Sequence, residues 1–147
     1  MKYEEVIDKL KTIAAAHYNV AQVDAGVLEH VVYKTNQYPL VFFITNLAEI
    51  TETSIRYQII MLVADKSNIE VSQQIEVQSD AFEITKDIVA YLLNGDYTSP
   101  WYAIENVVSE PFVDNLGDIL SGWSTTLNIT VKFNSNGCEL PFDPNKL

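Results

Sequence analysis

The stretch from Trp123 to Phe133 leaves this chain few ways to fold. Trp123, Thr125, Leu127, Ile129, Val131 and Phe133 alternate with Ser124, Thr126, Asn128, Thr130 and Lys132. A period of two describes a strand with one buried and one wet face, and such strands belong to antiparallel sheets covered on one side. Leu127 and Ile129 are therefore expected in the core. The rest of the chain must supply paired strands and an apolar cover for that face.

The partner strands are legible to different degrees. Ser54 to Asp65 reads as a long strand that starts half-exposed and ends buried on both faces, with Ile55, Tyr57, Ile59, Met61 and Val63 along one side. Pro39 precedes Leu40 to Ile44, at the strand position where a missing N–H does least harm. Val27 to Tyr33 has strand character after a connection from Asn19 to Gly26, and Asn46 to Thr53 reads as a second polar connection. Ile104 to Val108 is a short strand that Pro111 ends.

Two helices supply the cover. Tyr3, Val6, Ile7, Leu10, Ile13, Ala14 and His17 recur at helical spacing within residues 1–19. A second helix is expected over 80–94, with Ala81, Ile84, Ile88, Tyr91 and Leu92 as its apolar stripe. Asp80 and Glu83 resemble a capping pair at its start, and Asn94-Gly95 forms its stop. The order predicts an α+β fold, a single mixed, mostly antiparallel sheet with two main helices packed on one face. The 147 residues suit one domain, 1–147, with strands within 27–65 and 104–133 and a loose tail at 141–147.

Composition narrows the function classes. The single cysteine, Cys138, permits no intrachain disulfide. The N-terminus carries acids early and has no apolar h-region, and no stretch approaches the roughly 20 apolar residues of a membrane span. These features predict a soluble, intracellular protein without a membrane partner. Catalytic sets are scarce. His17 lies on the apolar stripe of the first helix, His30 falls in a strand or at its edge, and Cys138 follows Asn136-Gly137 without a nucleophile signature. One cysteine and two distant histidines do not make a zinc set, and the calcium-loop alternation after Asp65 breaks at Ile69. No glycine-rich phosphate loop can be read. The expectation is a protein with no catalytic residues, no cofactor and no metal, which works by binding and assembly.

Two features remain as candidate surfaces. The first is charge. The chain carries 20 acids against 9 bases, a net charge of −11. Glu70, Glu76, Asp80, Glu83, Asp87, Asp114 and Asp118 belong to a run in which Lys86 is the only base. Such a surface repels nucleic-acid phosphates and anionic lipids. It reads either as a solvated face that aids solubility or as a face that must not stick to DNA passing beside it. The second is aromatic. Tyr97, Trp101 and Tyr102 cluster around Pro100, with Phe112 following, and they read as caps on the core or as an interface, where Trp and Tyr are enriched.

The order of landmarks carries a resemblance. It runs from Tyr38-Pro39 and its apolar strand, through Tyr57 to Asp65 and a helix over Ala81 to Leu93. It continues with Asp114-Asn115-Leu116 shortly before Gly122-Trp123, the alternating strand to Phe133, and Cys138-Glu139-Leu140-Pro141. This order, over Tyr3 to Pro141, resembles tail-completion proteins of tailed bacteriophages, the tail-terminator or neck type. The resemblance implies a structural virion protein that assembles into a homo-oligomeric ring, possibly a hexamer or dodecamer, in the host cytoplasm. Such a ring joins the tail tube to head-connector proteins, and DNA crosses its lumen without specific binding. The competing expectation is an acidic monomeric or dimeric binding module, inhibitor- or immunity-like, that captures a basic partner.

Overall fold

A computed structural model describes residues 1–29, 36–67, 70–95, 101–116, 118–133 and 140–147, with the side chains at 115, 116 and 118 outside the description. Among these residues the order is α1 (Tyr3–Ala15), β1 (Gln22–Ala25), β2 (Leu40–Ile50), β3 (Ser54–Lys66), α2 (Val71–Asn94), β4 (Ala103–Leu116) and β5 (Asp118–Lys132). A short 3-10 turn at Pro144–Lys146 follows, and the tail from Leu140 to Leu147 is exposed throughout. The five strands form one sheet in the order β1-β2-β3-β5-β4. β1 runs parallel to β2, and the other pairs are antiparallel. The fold is α+β, as the patterning predicts.

One face of the sheet holds the main core. β5 presents Leu127, Ile129 and Val131 beside Ile59, Met61 and Val63 of β3 and Val41 and Phe43 of β2. Over them lie Val6, Leu10 and Ala14 of α1 and Ala81, Ile84, Ile88 and Leu92 of α2. α1 packs on β1 and β2, whereas α2 packs on β3 and β5 and reaches β4 along one flank. The Glu5 carboxylate accepts from the Lys2 backbone N–H at 2.9 Å, which satisfies one orphan donor at the start of α1. The opposite face is apolar at one end, where Leu40 and Phe42 cluster with Tyr38, Ile44 and Leu62. It is polar at the other, where Arg56 pairs with Thr130 and Gln58 with Asn128 across β3 and β5.

The element bounds correct several expectations. α1 stops at Ala15, so His17 lies beyond its end. The expected connection at 19–26 contains β1, while Val27 to Glu29 is not strand and residues 30–33 of the expected strand lie outside the described residues. β1 has four residues, too few to show a period. It is fixed by pairing with Leu40–Phe43 and by the Gln22 side chain, which accepts from the Gln37 backbone N–H at 2.8 Å and donates to the Asn36 side chain at 3.1 Å.

Most of the expected polar connection at 46–53 is strand. β2 runs on past a bulge at Asn46, and Glu49 and Arg56 pair across the β2–β3 hairpin at 2.6 Å. The second helix begins nine residues earlier than expected, at Val71 with Glu70 as N-cap, so Asp80 and Glu83 lie inside it. Its first turns carry Gln, Glu and Ser with no Gly or Pro, and Gln and Glu are favourable helix residues. β4 continues through Pro111, because it is the last strand of the sheet and an edge tolerates a missing N–H. β5 begins at Asp118, five residues before the readable alternation.

Candidate binding surfaces

The aromatic cluster packs against the fold. Trp101 and Tyr102 are half-buried against the main core, with ring centroids 4.4 Å apart. The Tyr102 hydroxyl donates to the Leu92 carbonyl at 2.6 Å, satisfying an acceptor in the last turn of α2. Lys9 of α1 lies 5.7 Å from the Trp101 ring centre, within cation–π range. Together these contacts tie the C-terminal end of α2 to α1. Tyr97 lies outside the described residues, as do His30 and Cys138. Phe112 stands apart on β4, where its carbonyl accepts from the Gln78 amide at 3.2 Å.

A cleft separates α1 from α2. At one end Thr12, Ile13, Ala16, His17, Asp87, Ile88 and Tyr91 enclose about 270 Å³. At the other, Asp8, Lys9, Trp101 and Tyr102 line about 580 Å³. His17 Nε2 lies 2.9 Å from the Asp87 carboxylate, and its Nδ1 accepts from the Asn19 backbone N–H at 3.1 Å. Nδ1 must be unprotonated to accept, so Nε2 carries the hydrogen and donates to Asp87. The contact to Asp87 braces the end of α1 against α2, and the contact to Asn19 fixes the ring within its own segment.

The acidic residues divide between two surfaces. Glu76, Asp80, Glu83 and Asp87 stand at i, i+4, i+7 and i+11 of α2 and form one solvent-facing stripe. Glu83 holds Lys86 at 2.6 Å, and that hydrogen bond, its charge and the nearby Asp87 raise the Lys86 ammonium above the ordinary lysine range. Glu70 sits at the N-cap of the same helix. Asp114 belongs to β4 and is exposed, and the Asp118 side chain lies outside the described residues. Among the described residues no group of three His, Cys, Asp or Glu is placed to hold a metal ion.

A third surface was not foreseen from the sequence. α2 carries a second apolar stripe, Ile75, Phe82, Val89 and Leu93, beside the stripe buried on the sheet. Register places Ser109, Pro111 and Val113 of β4 on the helix side of the sheet, opposite Thr125, Trp123 and Ser121 of β5. Between the two elements runs a trough of about 540 Å³, lined by Phe82, Val89, Leu93, Val107, Ser109 and Trp123. Its floor is firm. Trp123 stacks on Phe82 at 4.7 Å, and its indole N–H donates to the Gln78 carbonyl at 2.8 Å. The signal in the sequence is the heptad spacing of Ile75, Phe82 and Val89, which is readable only once the helix is known to start at Val71.

A fourth surface lies at the opposite edge of the sheet. β1 pairs with β2 only as far as Phe43, and beyond it the β2–β3 hairpin carries Leu47 and Ile50, the latter 72% exposed. No helix among the described residues is long and apolar enough to cross a membrane. Against known proteins, no family model and no curated protein matches this chain.

Proposed function

We propose that the chain is a structural assembly protein, a ring subunit of the tail-terminator or neck type that joins a phage tail to its head connector. The observation that carries this reading is the pair of unlike apolar surfaces at opposite edges of one sheet, the β2–β3 hairpin end and the α2/β4 trough. A subunit of such a ring has two kinds of neighbour, the next copy and the proteins above and below. A heterologous contact that uses unlike surfaces closes into a ring when its rotation permits. The order of sequence landmarks supports the same reading. The acidic surplus suits a lumen through which DNA passes unbound.

Native mass spectrometry over a range of protein concentrations tests the proposal. A closed oligomer of one defined size, with six or twelve copies foremost, is the expected outcome. A chain that stays monomeric at every concentration, alone and with tail tubes added, overturns the ring. The acidic stripe on α2 favours the second reading, a module that captures a basic partner, and a monomer that binds such a partner one to one is its signature.

A further inference from the structure

Two asparagines in the chain are followed by glycine, Asn94 and Asn136. Asn136 lies outside the described residues, whereas Asn94 is the last residue of α2 and Gly95 caps it. An Asn-Gly pair can react with itself. The glycine backbone nitrogen attacks Cγ of the asparagine and gives up its proton. The side-chain nitrogen leaves as ammonia, and a five-membered succinimide ring remains. Water then opens the ring at either carbonyl. One opening gives aspartate, and the other gives isoaspartate, in which the main chain runs through the former side chain. Glycine favours the attack because it sets no side chain beside the nitrogen.

Here both reacting groups are tied to the preceding turn. The Gly95 N–H donates to the Tyr91 carbonyl at 3.0 Å, and the Asn94 side-chain amide donates to the Ala90 carbonyl at 2.7 Å. The nitrogen must shed its proton and turn towards Cγ before it can attack, so the first bond has to break. The second fixes the side chain, with its leaving group, against α2. Steric cover is not what restrains the pair. Asn94 is exposed, and a Cβ on Gly95 would meet nothing within 4 Å. Gly95 holds a φ of 69°, the left-handed conformation that glycine adopts without strain at a helix end. The same turn is secured by the Tyr102 hydroxyl, which donates to the Leu92 carbonyl.

We infer that Asn94 is a modification site, a self-deamidating asparagine gated by the last turn of α2. While the turn is closed the pair is inert, and each opening releases it to react. The product places a negative charge among the unpaired carbonyls at the negative end of the helix dipole. It also removes the donor to the Ala90 carbonyl, so the reaction loosens the turn that restrained it. The inference is independent of the ring reading and holds for a ring subunit and a monomer alike.

The test incubates the full chain in mildly alkaline buffer, native and in urea. Peptide mapping by mass spectrometry follows conversion at Asn94 and the appearance of isoaspartate. Asn94 should convert about tenfold or more slowly in the native chain than in urea, because two hydrogen bonds must open first. Asn136 in urea is the internal reference for an unrestrained pair. Tyr102→Phe frees the Leu92 carbonyl and should raise the native rate about twofold or more while leaving the urea rate unchanged. Asn94→Asp supplies the charge of the product and should melt below the wild type. Equal rates in the native and unfolded chains would overturn the gate, as would a native rate indifferent to Tyr102→Phe. An Asn94 that stays intact in urea while Asn136 converts would overturn the site. An Asn94→Asp chain that melts with the wild type or above it would overturn the loosening.

Discussion

At the scale of single residues, the tightest constraint is at Gly122. A Cβ there would stand 1.8 Å from the Val63 carbonyl oxygen and 2.9 Å from the Ala64 Cα. Both neighbours are backbone of the central strand β3, so neither can yield by turning a side chain. Gly122→Ala should therefore push β3 and β5 apart and cost at least the roughly 1–3 kcal/mol of an overpacked core, as read from urea unfolding. Tyr102 offers a milder contrast. Tyr102→Phe keeps the ring against the core but leaves the Leu92 carbonyl without its donor, a loss of about 1 kcal/mol. An unchanged melting curve would show that water serves the carbonyl equally well. The aromatic cluster was visible in the sequence because Trp and Tyr announce themselves. Whether each ring faces core or solvent was not, since that depends on the contacts with Lys9 and Leu92 across two helices.

Among the elements, α2 separates what sequence can show from what it cannot. Its second half was readable from the stripe of Ala81, Ile84, Ile88 and Leu92. Its first turns were not, because Val71 to Ser79 is polar with only scattered apolar residues, and its anchoring is non-local, through Trp123 and Phe112. The same limit hid the run of β4 past Pro111, which is tolerable only at an edge, and strand order is not a local property of sequence. The trough inherits both difficulties, needing the true start of α2 and the identity of the edge strand. The alternation of β5, by contrast, placed Leu127 and Ile129 in the core from the outset, and both are fully buried. The two stripes of α2 should respond unequally to mutation. Ile88→Ala removes side-chain volume from the sealed core and should cost roughly 2–5 kcal/mol. Ile75→Ala alters the exposed stripe and should stay within about 0.5 kcal/mol of the wild type in the free chain. Equal losses in chemical denaturation would mean that the trough is already filled.

For the whole molecule, the net charge of −11 makes the two proposed kinds of contact, with a further copy or with a basic partner, respond to salt in opposite directions. Copies of one chain carry the same charge, so approach to a neighbouring copy is opposed by repulsion across the interface. Salt shortens the Debye length from about 10 Å at 0.1 M to about 3 Å at 1 M and so weakens that opposition. Capture of a basic partner by the acidic stripe of α2, the second reading proposed above, would draw on attraction over the same distances, and salt would weaken it. The salt bridge between Glu49 and Arg56 on the hairpin is internal to one copy, so it does not reverse the first trend. Sedimentation velocity between about 0.05 M and 0.5 M salt should show the self-associated species growing, while binding of a basic partner falls across the same range. If both contacts weaken together, self-association itself draws on opposite charges. The hairpin end would then act through its charges as well as through Leu47 and Ile50, and Arg56 and Lys132 at that end of the sheet would be the residues to neutralise first.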